Sequence, residues 1–402
     1  MHYLDFAASA PLRPEAARVY GDAAALLGNP ASIHSLGQQA KLRVEEAREQ
    51  VAGTLGADAV ELVFTGSGSE AVNLAIKGLF WQRNPGGERP VIVLPEGEHH
   101  ATLDAVEWLE RTSGAELVWV GLDWNGHIRL DEWRAALAEH AGRIALATAL
   151  WANNEIGTVN DGAALASACA NAGVPLHLDA IAAYGHETID FAGLRQATGS
   201  TDVGLVAVSV SAHKIGGPQS VGGLVVARRA TLESLVHGGG QQRKLHSGTE
   251  DVLGALAFAA AATAMQANFA AENEAQRALR DRLLAALDAS KLQVRINGDR
   301  QQRLSNNVHV TFEGCESDSL LFLLDHAGVA VSTGSACQAG VTEVSHVVRA
   351  LGYSETEARG SLRFTLGWSS TDADVDALLA ALPEAVERAR AAGLAARTTR
   401  FD

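Results

Sequence analysis

Lys214 lies in Ser211-Ala212-His213-Lys214-Ile215-Gly216-Gly217-Pro218, directly after the apolar run Val203–Val210 and before a glycine-rich turn. A lysine at the end of a buried strand is not a solvated surface charge. Burial disfavours its ammonium form, and a neutral amine is what Schiff-base chemistry needs. The other lysines have plainer settings: Lys41 and Lys77 in helical patterns, Lys244 in a polar loop, Lys291 near a helix end. Lys214 is therefore the candidate covalent catalyst.

Other segments supply groups that suit such a lysine. Phe64-Thr65-Gly66-Ser67-Gly68-Ser69-Glu70 reads as a strand, a Gly/Ser turn and a helix start. Backbone N–H groups there, at Gly68 and Ser69, form a phosphate cradle, or the turn is simply a helix cap. No Walker lysine follows, which argues against a nucleoside triphosphate. His177-Leu178-Asp179-Ala180 ends an apolar strand in a carboxylate, 35 positions before Lys214. Asp179 is either a helix cap or the partner of a cationic ring nitrogen. A carboxylate and a lysine at neighbouring strand ends suit pyridoxal phosphate, whose protonated pyridine acts as an electron sink. Glu98-His99-His100-Ala101 sits between a strand and a helix. His99 is placed to stack on a cofactor ring and move protons, or these are ordinary loop histidines. Among the cysteines, Cys169 lies in an alanine-rich helix and Cys315 between a strand and a helix. Cys337, in Ser332-Thr333-Gly334-Ser335-Ala336-Cys337-Gln338-Ala339-Gly340, has the accessible setting a nucleophilic thiolate requires.

These residues need a frame to bring them together. Apolar runs at 62–64, 91–94, 116–120, 144–150, 175–178, 203–210 and 222–227 alternate with helical patterns at 34–55, 69–81, 101–111, 130–140 and 163–171. That alternation predicts an α/β fold with a mostly parallel sheet. An alanine-rich helix from about 251 to 289 leads to a smaller α+β region. That region reads as strand 307–312, helix 317–327, the Cys337 loop, a helix, strand 361–366 and a final helix after 371. The expected division is a large domain over 14–255, and a small one from 1–13 with 256–402. A chain of 402 residues with 47% hydrophobic and 20% charged content fits a globular protein with a large core. The net charge of −15 argues against nonspecific binding to nucleic acid or an anionic membrane. No apolar run is read as a membrane span, and the N-terminus lacks a signal-peptide pattern, so the cytoplasm is the expected location. Three scattered cysteines suggest no disulfide framework.

With these residues in place, the chain resembles the pyridoxal-phosphate-dependent cysteine desulfurases, in the group that serves iron–sulfur assembly. The resemblance spans nearly the whole chain. It is carried by Tyr3-Leu4-Asp5-Phe6-Ala7-Ala8, Gly28-Asn29-Pro30-Ala31-Ser32, Glu98-His99, Asn153-Asn154-Glu155-Ile156-Gly157 and Ser211-Ala212-His213-Lys214. It continues through Gly238-Gly239-Gly240-Gln241, Ser247-Gly248-Thr249, Gly334-Ser335-Ala336-Cys337 and Gly360-Ser361-Leu362-Arg363-Phe364. The Ser-Ala-Cys stretch is similar to the first desulfurase subgroup, whose cysteine loop is long and mobile.

The resemblance implies a fold type I pyridoxal-phosphate enzyme with a seven-stranded sheet, acting as a homodimer on L-cysteine to give L-alanine. By the same resemblance, Lys214 would anchor the cofactor and move the substrate Cα proton, Asp179 would pair with the pyridine nitrogen, and His99 would stack on the ring. Gly68, Ser69, Ser211 and His213 would bind the phosphate, joined by Thr249 from the other subunit. Asn154 and Arg363 would grip the substrate carboxylate. Cys337 would become a persulfide that passes sulfur to an iron–sulfur scaffold, or to acceptors serving thiolated tRNA and other cofactors. No metal ligand is implied. Four positions depart from the family pattern: Ala182 where glutamine is usual, His246 for arginine, Ser69 for threonine and Ala212 for glycine. Alternative readings are a lyase for selenocysteine or another sulfur amino acid, and a weakly active scaffold in sulfur transfer.

Overall fold

In a computed structural model, the described residues are 1–199, 202–334, 337–338, 341–342 and 344–398, with the backbone alone at 337–338, 341–342 and 393–398. The strands are β1 (His2–Tyr3), β2 (Leu62–Thr65), β3 (Val91–Pro95), β4 (Glu116–Val120), β5 (Ile144–Leu150), β6 (Pro175–Asp179), β7 (Gly204–Ser211), β8 (Gly222–Val226), β9 (Val294–Asn297), β10 (Asn307–Phe312), β11 (Val329–Ala330), β12 (Cys337–Gln338), β13 (Val341–Thr342) and β14 (Ser361–Thr365). Seven of them form one sheet in the order β2-β8-β7-β6-β5-β3-β4. Within it β8 alone runs against the others. Strands β5 to β8 are buried along their whole length, because helices cover both faces. That explains their near-continuous Val, Leu, Ile and Ala content.

The register sets up the site. Leu150 pairs with Asp179 and Asp179 with Ser209, so β5, β6 and β7 end together at one edge of the sheet. Ligands bind at the carboxyl ends of strands in such sheets, where loops and helix N-termini converge. The segments after β2 and β3 open onto this edge too, each leading into a helix, Gly68–Arg83 and His100–Ser113.

A second core lies under the three-stranded antiparallel sheet β14-β10-β9. Val308, Val310, Phe312, Leu362 and Phe364 of that sheet pack on Leu320, Leu324, Leu378 and Leu382 of helices Ser317–His326 and Asp372–Thr398. The first strand, β1, pairs in parallel with β11, so Leu4 joins this core and residues 5–8 run beside β14 toward the first sheet. The helix Val252–Ala289 joins the two cores. Its residues up to Met265 pack on the first core, and those from Leu279 on the second. A division at 255/256 thus falls at the start of this helix, ahead of the point where its burial changes hands. This helix is long and apolar enough to match a membrane span by length and composition, contrary to the sequence expectation. Its alanines and leucines serve the two cores instead.

Candidate active site

One cavity of about 520 Å³ sits between the sheet edge and the second core. Its wall contains Gly68, Ser69, His99, Asn154, Asp179, Ser211, His213, Lys214 and Arg363, nine of the eleven expected site residues. Thr249 lies elsewhere, in a separate cavity of about 220 Å³ beside Gly66 and His246. The backbone of Cys337 pairs with that of Thr342 across β12 and β13, and its side chain lies outside the described residues. Ser332, Thr333 and Gly334, just upstream, belong to the cavity wall.

Lys214 falls just past β7, on a single tight helical turn over Ala212–Ile215 rather than in the strand itself. Gly216 follows at φ 82°, where a Cβ would meet Arg13 and the Pro11 carbonyl. Lys214 Nζ donates to the carbonyls of Ala7 and Ala8, so the N-terminal segment holds its amine in the cavity. Burial, then the Arg363 charge, push its pKa down to about 8. About one lysine in ten is then neutral at pH 7, against less than about one in a thousand for an unperturbed one.

Asp179, at the end of β6, is 2% exposed. Its Oδ1 accepts from the Ile181 N–H at 2.9 Å and from Ser209 Oγ at 3.2 Å. The cap reading holds to this extent: the carboxylate secures the turn over residues 180–183. Burial pushes its pKa up to about 6, which marks a carboxylate short of a cation.

At the start of the helix Gly68–Arg83, both readings of the Gly/Ser turn hold. Ser67 caps the helix by accepting from Glu70 N at 3.0 Å. The N–H groups of Gly68 and Ser69 take no acceptor among the described residues. A Cβ at Gly68 would lie 2.5 Å from Ile181 Cδ1 and 3.0 Å from Ser211 Cβ, so a side chain there would crowd the turn. Ser211 Oγ is buried there with no partner among the described residues. Free N–H groups at a helix start and an orphan hydroxyl fit a phosphate. The donors, Asp179 and Lys214 together fit pyridoxal phosphate.

His99 caps the helix His100–Ser113, its Nδ1 accepting from Ala101 N at 3.0 Å. Burial, and the Lys214 charge next, push its pKa down to about 4. At neutral pH the ring is neutral, with its proton on Nε2. His213 Nδ1 lies 3.4 Å from Ser9 Oγ, and burial lowers its pKa to about 4 as well.

Arg363 on β14 donates from Nη1 to the Asn154 carbonyl at 2.9 Å and from Nη2 to Asp5 Oδ1 at 3.1 Å. Its Nε and the Asn154 Oδ1 are buried without partners among the described residues. A guanidinium with an unspent donor, beside an amide, suits a carboxylate.

Cys169 is fully buried and its pKa is pushed up to about 12; burial raises Cys315 too. Neither is a nucleophile, and both are free thiols. Several groups carried no role in the sequence reading. Asp5 holds Arg363, and His186 lines the cavity beside Ala182. Glu98 Oε1 accepts from Leu150 N at 2.8 Å, and burial pushes its pKa up to about 8, so it carries a proton at neutral pH. His177 lies in β6, fully buried. A polar residue at alternate positions of an apolar strand, as at His177 and Asp179, was the available signal.

Comparison with known proteins bears on this site. Residues 2–378 match the family model described as aminotransferase class-V. The chain is 45% identical over 399 residues to an IscS-like cysteine desulfurase of Mycobacterium tuberculosis, covering 98% of this chain and 99% of the relative. It is 40% identical over 394 residues to the cysteine desulfurase IscS of Methylococcus capsulatus, covering 96% and 93%. Among solved structures, a NifS-like protein superposes with a TM-score of 0.85 at 27% identity, covering 96% of this chain and 98% of that one. SspA, in a structure described as a complex with cysteine, gives 0.77 at 28% identity, covering 92% and 100%.

Proposed function

Because the chain belongs to the aminotransferase class-V family, as one of its IscS-like cysteine desulfurases, we propose that this cavity binds pyridoxal phosphate with L-cysteine and that Cys337 takes the sulfur. The protein is a cysteine desulfurase that works in sulfur transfer. The observation that carries the assignment of residues is the convergence of Lys214, Asp179, His99 and Arg363 on one cavity.

Pyridoxal phosphate, when bound, supplies an electron sink for the substrate's Cα. The N–H groups of Gly68 and Ser69, with the Ser211 hydroxyl and His213, would hold its phosphate. Asp179 would pair with its pyridine nitrogen, and the neutral His99 ring would pack beside it. Lys214 Nζ would anchor it and, as a free amine, would take the substrate's Cα proton. Arg363 and Asn154 orient the substrate carboxylate. The Cys337 thiolate bonds to the substrate sulfur as the C–S bond breaks, with that electron pair passing to the carbon fragment that leaves as alanine. The resulting persulfide is delivered to an iron–sulfur scaffold or another acceptor. We place the enzyme in the cytoplasm as a homodimer. The free thiols of Cys169 and Cys315 support the former. The position of Thr249 outside the main cavity supports the latter.

Single-turnover mixing with L-cysteine tests the proposal, following the visible spectrum, alanine and protein-bound persulfide together. Equal amounts of alanine and persulfide are expected. Cys337→Ala should lose both while keeping the cofactor spectrum. Alanine formed by Cys337→Ala would overturn the thiol assignment, and release of selenium from selenocysteine alone would favour a selenocysteine lyase.

A further inference from the structure

Behind Asp179 a row of polar side chains crosses the sheet interior. Thr148, His177 and Ser209 are all 0% exposed, on the neighbouring strands β5, β6 and β7. Thr148 Oγ1 lies 2.9 Å from His177 Nδ1, and His177 Nε2 lies 3.1 Å from Ser209 Oγ. Ser209 Oγ donates to Asp179 Oδ1 at 3.2 Å. Three polar groups inside an apolar sheet are costly unless each finds a partner.

Proton counting gives the row one direction. A serine hydroxyl has a single proton, and Ser209 spends it on Asp179. It must then accept from His177, so His177 carries its proton on Nε2. Burial keeps that ring neutral, with its pKa pushed down to about 3. Nδ1 is therefore bare and accepts from Thr148 Oγ1–H. Every donor points toward the carboxylate.

We propose that Thr148, His177 and Ser209 form a one-way hydrogen-bond relay that positions Asp179 and holds it as the anion facing the cofactor's pyridine nitrogen. The relay occupies Oδ1 together with the Ile181 N–H and leaves Oδ2 for the ring. Donors to a carboxylate favour its charged form, which opposes the burial that raises its pKa. Of the other ionisable groups nearby, Lys214 favours the anion, and Glu98, kept protonated by burial and by the Asp179 charge, adds no repulsion at neutral pH. Without the relay the proton shifts from the ring nitrogen toward Asp179. These are positioning residues, since none of the three lines the cavity.

The inference rests on the cofactor assignment above, and the test separates the two. Holoenzyme is prepared with pyridoxal phosphate labelled with nitrogen-15 in the ring, and its resonance is followed against pH. Wild type should show a protonated ring throughout. Thr148→Val, which keeps the side-chain shape, and Ser209→Ala should move the resonance toward the unprotonated ring as pH rises. Ser209→Thr should restore it. The value of kcat should fall roughly two- to tenfold with KM for cysteine nearly unchanged, the effect of one lost net hydrogen bond. Fully loaded Thr148→Val and Ser209→Ala proteins with wild-type resonances would overturn the relay alone. A wild-type protein that binds no cofactor would overturn the functional reading and the relay with it.

Discussion

Ala182 stands where the family resemblance leads to an expectation of glutamine. It lines the cavity three positions after Asp179, where a glutamine, as the resemblance implies, would donate to the cofactor's phenolic oxygen. Alanine has no donor to offer there. Ala182→Gln should shift the visible absorbance of the bound cofactor and speed the first half-reaction by about two- to tenfold, the worth of a net hydrogen bond of about 0.5–1.5 kcal/mol. Stopped-flow spectra of the two proteins with L-cysteine measure it, and identical spectra and rates would refute it. Residues of this kind were legible because their chemistry is local: a lysine after an apolar run, a carboxylate at a strand end, glycines before a helix. Asp5, His177 and Glu98 were not, since each acts through a neighbour that only the fold supplies. Asp5 meets Arg363 across 358 positions of sequence, and Ser209 lies 30 positions from Asp179.

At the level of elements, the start of the helix Gly68–Arg83 is tied to the segment carrying His246. Glu70 Oε2 accepts from Gly66 N, and its other oxygen meets His246 Nε2 at 2.6 Å. The hydrogen bond between them raises the His246 pKa and lowers that of Glu70. His246 thus contributes stability fully below its ordinary pKa near 6.5 and loses it as pH rises through the higher folded value. Glu70 contributes above about 4.5 and loses it only as pH falls through its own lowered value. The pair therefore works from mildly acid to neutral pH and fades in alkali. His246→Arg keeps a charge there at all these pH values. Its Tm should match wild type near pH 6 and exceed it by about 1 °C at pH 9, the scale of a half-exposed ion pair. A constant difference across pH would count against this account. The long elements of the frame could be read from the sequence, because apolar runs and helical periods are strong signals in buried strands and two-sided cores. Shorter ones could not. The helix Phe191–Thr198 has eight residues and an internal glycine, and β9 has only four residues, half of them polar. The helix Pro14–Ala23 was missed although Pro14 stands at its first turn, a usable start signal.

On the scale of the whole molecule, the two cavities meet at one helix start without sharing Thr249. The main cavity holds Gly68 and Ser69, while the smaller one holds Gly66, His246 and Thr249 on the other side of the Gly66–Ser69 turn. A threonine that lines a different cavity from its own chain's Lys214 would serve a second copy's phosphate if two copies closed these edges against each other by two-fold symmetry. Complementation decides the point. Lys214→Ala and Thr249→Ala proteins each have impaired sites when alone. In a randomly exchanged equal mixture, a heterodimer pairs an intact Lys214 with the other subunit's intact Thr249, so about a quarter of all sites become wild type. Activity should rise to about that level above the mean of the separate proteins, with cofactor affinity recovered in the same fraction. A mixture no more active than that mean would show that Thr249 serves its own chain or no site at all.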